Sequence, residues 1–292
     1  MTVNVPRNHH FVPQHFLKAW ESSPKKIIRY KLLPSSTQVE VREVSIKSTA
    51  SQKDLYRLEF EDGTFEIESS IVTPKIDAYG SNLLNSIRVC SIFDLNQDDR
   101  FKFLEYLINL EARHPDIIKL MDFSSELEKS RADFKAKNIG SDESIDAVID
   151  YLAASSTLGV MAFGFLSQYG FGFVEHLYNG HLIELNFEGN SLITSSYPVA
   201  RFGDYTNQHL LVVAISPRKA LVLSSSEDIG FFNELETSLR ADLINLYTLA
   251  KADAAYYNDS SMSDFVGKHL GWENKCETND KKGEYVKSFL RR

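Results

Sequence analysis

The sequence predicts an α+β protein in which a helical middle segment packs on an antiparallel sheet built from N-terminal and C-terminal strands. Three observations carry that prediction. Polar and apolar residues alternate in Ile27–Leu32 and Val39–Val44, as half-buried strands require. From Ser69 to about Tyr151 the apolar residues recur at helical spacing, and after Gly170 strand patterns return. At 292 residues and 43% hydrophobic, the chain can bury one large core. Residues 1–272 are therefore read as one domain, comprising 1–68 with the first strands, 69–168 as the helical part and 169–272 with the last strands and a long helix. A polar tail over 273–292, mobile at its start, would follow.

Taken in order, the first ordered stretch is Asn8–Trp20. His9-His10-Phe11-Val12-Pro13 reads as an extended segment, and Pro13 feeds a short helix whose Phe16, Leu17 and Trp20 share one apolar face. The two alternating runs flank Pro34-Ser35-Ser36 as a hairpin, Leu55–Phe60 adds a third strand, and Asp62-Gly63 turns the chain. Ile71, Ile76, Tyr79, Leu83, Leu84 and Ile87 form one helical face; Phe101, Leu104, Leu107, Ile108 and Leu110 form another, with Asp98-Asp99 at its acidic start. Pro115 opens a third helix, Ser124–Asn138 reads as an exposed one, and Ser141 caps the next. Strands are then expected at Gly172–Leu177, His181–Phe187, Ser191–Thr194, Leu210–Ile215 and Lys219–Leu223. Asn179-Gly180 reads as the strongest hairpin turn, and Leu235–Tyr257 as one long amphipathic helix.

A net charge of −8 argues against broad, sequence-independent binding to duplex nucleic acid, which needs an electropositive face. Cys90 and Cys276, two thiols far apart, provide neither a disulfide framework nor a thiolate metal site. Met1–Arg7 has no apolar core of signal-peptide length, which points to the cytoplasm. The uncharged run Leu152–Val174 raises the question of a membrane, but its most apolar part, Leu158–Leu166, is too short to span a bilayer, so no membrane partner is expected.

Chemistry concentrates near the start, where His9, His10 and His15 supply three of the eight histidines. An imidazole titrates near neutrality, so His10 suits a general base and His9 a metal ligand or orienting group. The layout resembles the His-His-x-x-Pro start of HNH-type nucleases, but no further His follows His15 before His114. Neighbouring strand residues face opposite ways, so His9 and His10 cannot both chelate one ion on regular backbone. The competing reading makes the histidines hydrogen-bonding pins that fix the N-terminus to the core. Glu111 and Arg113 end a core helix, as an internal ion pair or a cap on nearby carbonyls, or with Arg113 as an anion clamp. Thr194-Ser195-Ser196-Tyr197-Pro198 is either ordinary turn chemistry or a ligand-binding edge with Ser195 pointing at the same cavity as His10. His176 and His181 bracket the expected hairpin as a weak metal pair. Gly-x-Ser-x-Gly and phosphate-loop patterns are absent.

His9-His10-Phe11-Val12-Pro13-Gln14 with Leu17 resembles the N-terminal signature of the bacterial domain-of-unknown-function family number forty-two thirty-eight. Asp54-Leu55-Tyr56, Glu66-Ile67-Glu68, Leu110–Pro115, Thr194–Pro198 and Asn245 with Ala252 resemble its later landmarks. The resemblance implies that Glu68 joins His9 and His10 in the site, with Gln14, Tyr56, Arg113, Ser195 and Ser196 as substrate-binding positions. The chain departs from the pattern twice. Ser196 stands where the family has Asp, and Pro74 and Lys75 occupy the neighbourhood where a second carboxylate often follows Glu68.

Two functions are therefore expected. The first is a histidine-dependent phosphodiester hydrolase, nuclease-like and acting in bacterial defence on nucleic acid or a nucleotide. His10 would be its base, His9 and Glu68 would be ligand or orienting groups for a divalent metal, and Arg113 would clamp the anion. The second is a non-catalytic module that binds a ligand or a protein partner, with the histidine motif structural.

Overall fold

The computed structural model describes residues 7–33, 38–55, 57–60, 63–66, 68–120, 124–150, 173–203 and 208–291. In chain order, β1 (Asn8–His10), α1 (Gln14–Leu17), β2 (Lys26–Leu32), β3 (Val39–Ser45), β4 (Ser51–Lys53), β5 (Arg57–Phe60) and β6 (Gly63–Glu66) precede the helical part. That part holds a wide π-type segment, Glu68–Asp77, then α2 (Ala78–Val89), α3 (Gln97–Ala112), α4 (Pro115–Leu120), α5 (Ser124–Ala136) and α6 (142–150). The remainder is α7 (Phe173–Asn179), β7 (His181–Asn186), β8 (Thr194–Ser195), β9 (Val199–Gly203), β10 (His209–Ser216), β11 (Lys219–Ser224), α8 (Phe231–Glu234), α9 (Thr237–Thr248), β12 (Ala254–Tyr257), α10 (Ser263–His269) and α11 (Asn279–Leu290).

The fold is α+β with antiparallel pairing throughout the described sheets. One four-stranded sheet, ordered β3-β2-β12-β8, joins N-terminal to C-terminal strands. A second, ordered β7-β11-β10-β9, comes wholly from the C-terminal part, and its strands β10 and β11 are buried along almost their whole length. Their continuous Leu, Val, Ile and Ala runs suit a sheet covered on both faces, and α2, α3 and α9 all pack on it. The helical middle thus lies on the C-terminal sheet, beside the mixed one.

Polar latches fix these layers. The Trp20 indole, wholly buried, donates to the Leu192 carbonyl at 2.8 Å. Arg88 Nε donates to Ile215 O at 2.7 Å and Nη2 to Phe16 O at 2.8 Å, so one guanidinium holds α1 against β10. Lys219 Nζ donates to the free carbonyls at the end of α2, Ile87 O at 2.9 Å and Cys90 O at 2.7 Å, and pairs with Glu184 at 3.1 Å. Asn245 on α9 accepts from Ile193 N and donates to Ser191 O, supplying the partners that the loop before β8 lacks. Gly80 is required by close approach, since a Cβ there would meet the Tyr106 ring at 2.2 Å.

Several elements differ from expectation. From Phe173 the strand expected over Gly172–Leu177 is helical instead, Phe173–Asn179, and Asn179-Gly180 joins that helix to β7 instead of turning a hairpin. Gly180 fits there because a Cβ would lie 2.8 Å from Ser224 O. The expected long helix ends at Thr248; Ala254–Tyr257 forms β12, drawn into strand by pairing with β2 and β8. Val199–Gly203, unassigned by pattern, is β9, and of the expected Ser191–Thr194 strand only Thr194 falls in β8, which adds Ser195. The 273–292 stretch is largely helical: Trp272 stacks on Tyr285 at 4.8 Å, and Phe289 is buried. Leu152–Val174 lies outside the described residues up to 172; among the described residues no helix is long and apolar enough to cross a membrane.

Candidate functional site

β1 is held by its pairing to β4, in the register His9 to Gln52 and His10 to Ser51, and Arg7 clamps the Asp54 carboxylate at its entrance. Alternation on this strand turns His9 inward, wholly buried, and leaves His10 partly covered. The His10 ring bonds the Lys47 carbonyl through Nε2 at 3.0 Å. Burial lowers its pKa, against the opposing pull of the Lys47 and Ile46 carbonyls and the Asp77 carboxylate, so the ring is neutral at pH 7.

Asp77 is the carboxylate that sequence reasoning missed. It ends the Glu68–Asp77 segment, nine positions beyond Glu68, and accepts from Arg113 Nη2 at 2.9 Å. Arg113 is buried at the end of α3, with its Nε on the Asn109 carbonyl, so it is an inward ion pair. Its partner is Asp77; Glu111 pairs with Arg201 at 2.7 Å, so the expected Glu111–Arg113 pair does not form. Beside them His15 shares a hydrogen bond with the Tyr106 hydroxyl at 2.9 Å. Burial pushes His15 down to about 4, Arg88 and Arg113 adding to the shift and Asp77 opposing it. His10, His15, Tyr106 and Arg113 thus gather around Asp77, with most of their capacity directed into the fold.

The Ser195 segment lies elsewhere. Ser195 Oγ, wholly buried, donates to Tyr197 O at 2.9 Å or Thr248 O at 2.8 Å and accepts from Tyr197 N, so its hydroxyl does not point at a cavity shared with His10. Ser196 Oγ donates to Asp253 Oδ1 at 2.6 Å and accepts from Asp253 N, so a carboxylate stands against the position where Asp was expected. Alongside, the His114 ring stacks on Tyr197 with centroids 3.5 Å apart and meets Phe11 edge-on at 5.1 Å. Burial drives His114 down to about 4 although Asp116 and Asp253 oppose it.

Gln14, His176 and His181 are not brought to a shared site among the described residues. Gln14 is exposed at the start of α1. Tyr56 lies outside the described residues, as does the side chain of Glu68. His176 is on α7 and His181 on β7, so no hairpin sets them face to face. Among the described residues no three His, Cys, Asp or Glu side chains are grouped to hold a metal, and His9 therefore belongs to no such group.

A different crevice opens between the end of α3, β9, the link from α9 to β12 and the turn Trp272–Lys275. Glu111, Arg201, Phe202, Tyr247, Lys251 and Glu273 line it. Only Glu111 of these was singled out by sequence, because the other five are brought there by contacts distant in the chain.

One family model, described as "Protein of unknown function (DUF4238)", matches residues 8–261. No curated protein and no solved structure matches the chain.

Proposed function

We propose that this chain, which belongs to the family "Protein of unknown function (DUF4238)", is a cytoplasmic, non-catalytic binding module in which the His9-His10 motif is a structural lock. One observation carries the reading. The groups expected to do chemistry are engaged with the fold itself: His10 with the Lys47 carbonyl, Arg113 with Asp77, and Ser195 and Ser196 with backbone and Asp253. A nucleophile or anion clamp must keep bonding capacity for a substrate, whereas a lock spends it internally.

A second reading, a metal-assisted phosphodiester hydrolase acting on nucleic acid or a nucleotide, is favoured by one feature. His10 is neutral at pH 7, partly exposed and within the field of Asp77, as a general base must be. Incubation of wild type and His10→Ala with single-stranded DNA, RNA and bis(p-nitrophenyl) phosphate, each with Mg²⁺, Mn²⁺ or Zn²⁺, separates the two. The lock predicts no turnover and a lowered melting temperature in the variant. Metal-dependent turnover that disappears in a variant of unchanged melting temperature would overturn it in favour of the hydrolase.

A further inference from the structure

The sheet ordered β3-β2-β12-β8 ends in a long strand with an open side. Of its outer strands, β8 is 2 buried residues, whereas β3 is 7 residues long and pairs with no described strand but β2. Proline or a bulge commonly blunts such an edge, and β3 has neither: its register runs unbroken from Lys26↔Ser45 to Leu32↔Val39. The side chains of Arg42 and Glu43 are 68% and 38% exposed, so the strand lies at the surface.

The ends of the ladder show which backbone groups face outward. Leu33 N donates to Gln38 O at 3.1 Å and Ile46 N to Lys25 O at 3.0 Å, both on the register of the strand between them. Bonded and non-bonded pairs alternate along an antiparallel ladder, so Glu40, Arg42 and Val44 bond inward to β2. Val39, Val41 and Glu43 therefore turn their amides and carbonyls to the open side. Thr49 Oγ1 donates to the Ser45 carbonyl at 2.8 Å, which occupies the far end of the edge.

An incoming antiparallel strand must set its own outward residues opposite these. For a second copy of β3 the side chains then choose the register. With Val41 opposite its own copy, Glu40 of each chain faces Arg42 of the other. Sliding the pair by two residues sets Glu40 on Glu40 in one direction and Arg42 on Arg42 in the other, like charges in direct opposition. Within one chain Glu40 touches Arg29 at 3.1 Å and Arg42 at 2.8 Å, so pairing would close a square of alternating carboxylates and guanidiniums. Lys26 is matched by Glu43 at 3.0 Å. The surplus positive charge of Arg29 and Lys31 sits on β2, one strand and about 5 Å farther from the second copy. Main-chain pairing with so few side chains covers less than the roughly 1,200 Å² of a standard interface, so the association is weak.

We propose that two copies of this chain dimerise through β3, antiparallel about a two-fold axis at Val41, so that their sheets become one. This goes beyond the binding-module reading and does not depend on it.

The test is sedimentation equilibrium of the full chain from about 5 to 500 μM, where a monomer–dimer equilibrium with a Kd of about 10–100 μM is expected. Glu40→Arg and Arg42→Glu, each with an unchanged circular-dichroism spectrum, should weaken self-association about 10-fold, because each sets like charges across the axis. Mixed in equal amounts the two variants should dimerise with each other, since every arginine of one then meets a glutamate of the other. Damage to the fold would not be repaired by mixing. Val41→Pro removes an outward amide and no bond to β2, so it should leave the monomer folded and abolish the dimer. A chain that stays monomeric at about 500 μM would overturn the proposal and leave the edge to a strand of a different protein. A dimer indifferent to Val41→Pro, or a mixture of the charge variants that stays monomeric, would overturn it as well.

Discussion

The two polar regions of this molecule differ in how plainly the sequence announces them and in what their groups touch. Around Asp77, His10, His15, Tyr106 and Arg113 direct hydrogen bonds at one another or at backbone carbonyls, within layers fixed by Arg88 and Trp20. Around Glu273, one carboxylate oxygen pairs with Lys282 and the other is buried without a hydrogen-bond partner among the described residues, while Lys251 makes a long contact to the Arg201 carbonyl. The first region is conspicuous in sequence and the second is not, yet each keeps a buried polar atom without a hydrogen-bond partner among the described residues, Asn109 Oδ1 in the first and Glu273 Oε2 in the second. Histidine-rich sequence marks where polar groups are concentrated, and only the fold decides whether they remain available.

The contrast can be broken most forcefully at Asp77. Asp77→Ala leaves the Arg113 guanidinium buried without its carboxylate, and the loss should be about 3–5 kcal/mol in urea unfolding. The double variant Asp77→Ala/Arg113→Met should recover part of it. A loss below about 1 kcal/mol would mean that the cluster is not a lock.

Acid should loosen the surroundings of two buried histidines. His15 and His114 are each held near 4 in the folded state against an ordinary value of 6.5. The unfolded chain therefore binds more protons between those values, so stability is complete above about pH 6.5 and falls as pH drops toward 4. At pH 5 each should cost about 2 kcal/mol, seen as a lower urea midpoint, and His15→Gln should flatten the slope by about half. An unchanged midpoint between pH 7 and 5 would contradict their burial as neutral rings.

A smaller effect is expected at Ser196, whose hydroxyl serves Asp253. Ser196→Ala should cost about 1–2 kcal/mol, whereas Ser196→Asp would set two carboxylates side by side and cost more. The smallest effect belongs to the second region: Lys251→Met should change the unfolding free energy by no more than about 0.5 kcal/mol in either direction. A large loss there would show that the crevice, too, is spent on the fold.

Where pattern and local chemistry act together, the sequence was legible. Alternation in Ile27–Leu32 and Val39–Val44 marked β2 and β3, and acidic residues at the start of α3, proline at the start of α4 and the Ser141 cap were all visible. Ala254–Tyr257 was hidden because its small and aromatic residues continue a helical spacing; only pairing with Tyr30 and Ser195, far away in the chain, makes it a strand. Asp77 was hidden for the same kind of reason. Its value comes from Arg113, thirty-six positions later, and nothing beside it in sequence announces that pairing. Ser195 illustrates the opposite error, since a hydroxyl at a turn looks the same in sequence whether it faces a ligand or the Thr248 carbonyl.

The sheet ordered β3-β2-β12-β8 also sets a schedule for synthesis. Its hairpin is translated early, but the strand that covers its inner edge, Ala254–Tyr257, comes more than two hundred residues later. At ribosomal speeds that is a wait of roughly ten to forty-five seconds. Throughout that interval Lys26–Leu32 presents unpaired amides and carbonyls to any passing strand. The nascent chain is therefore most exposed to misassociation just before its last strand emerges, and a chain cut short of Ala254 would keep that edge open permanently.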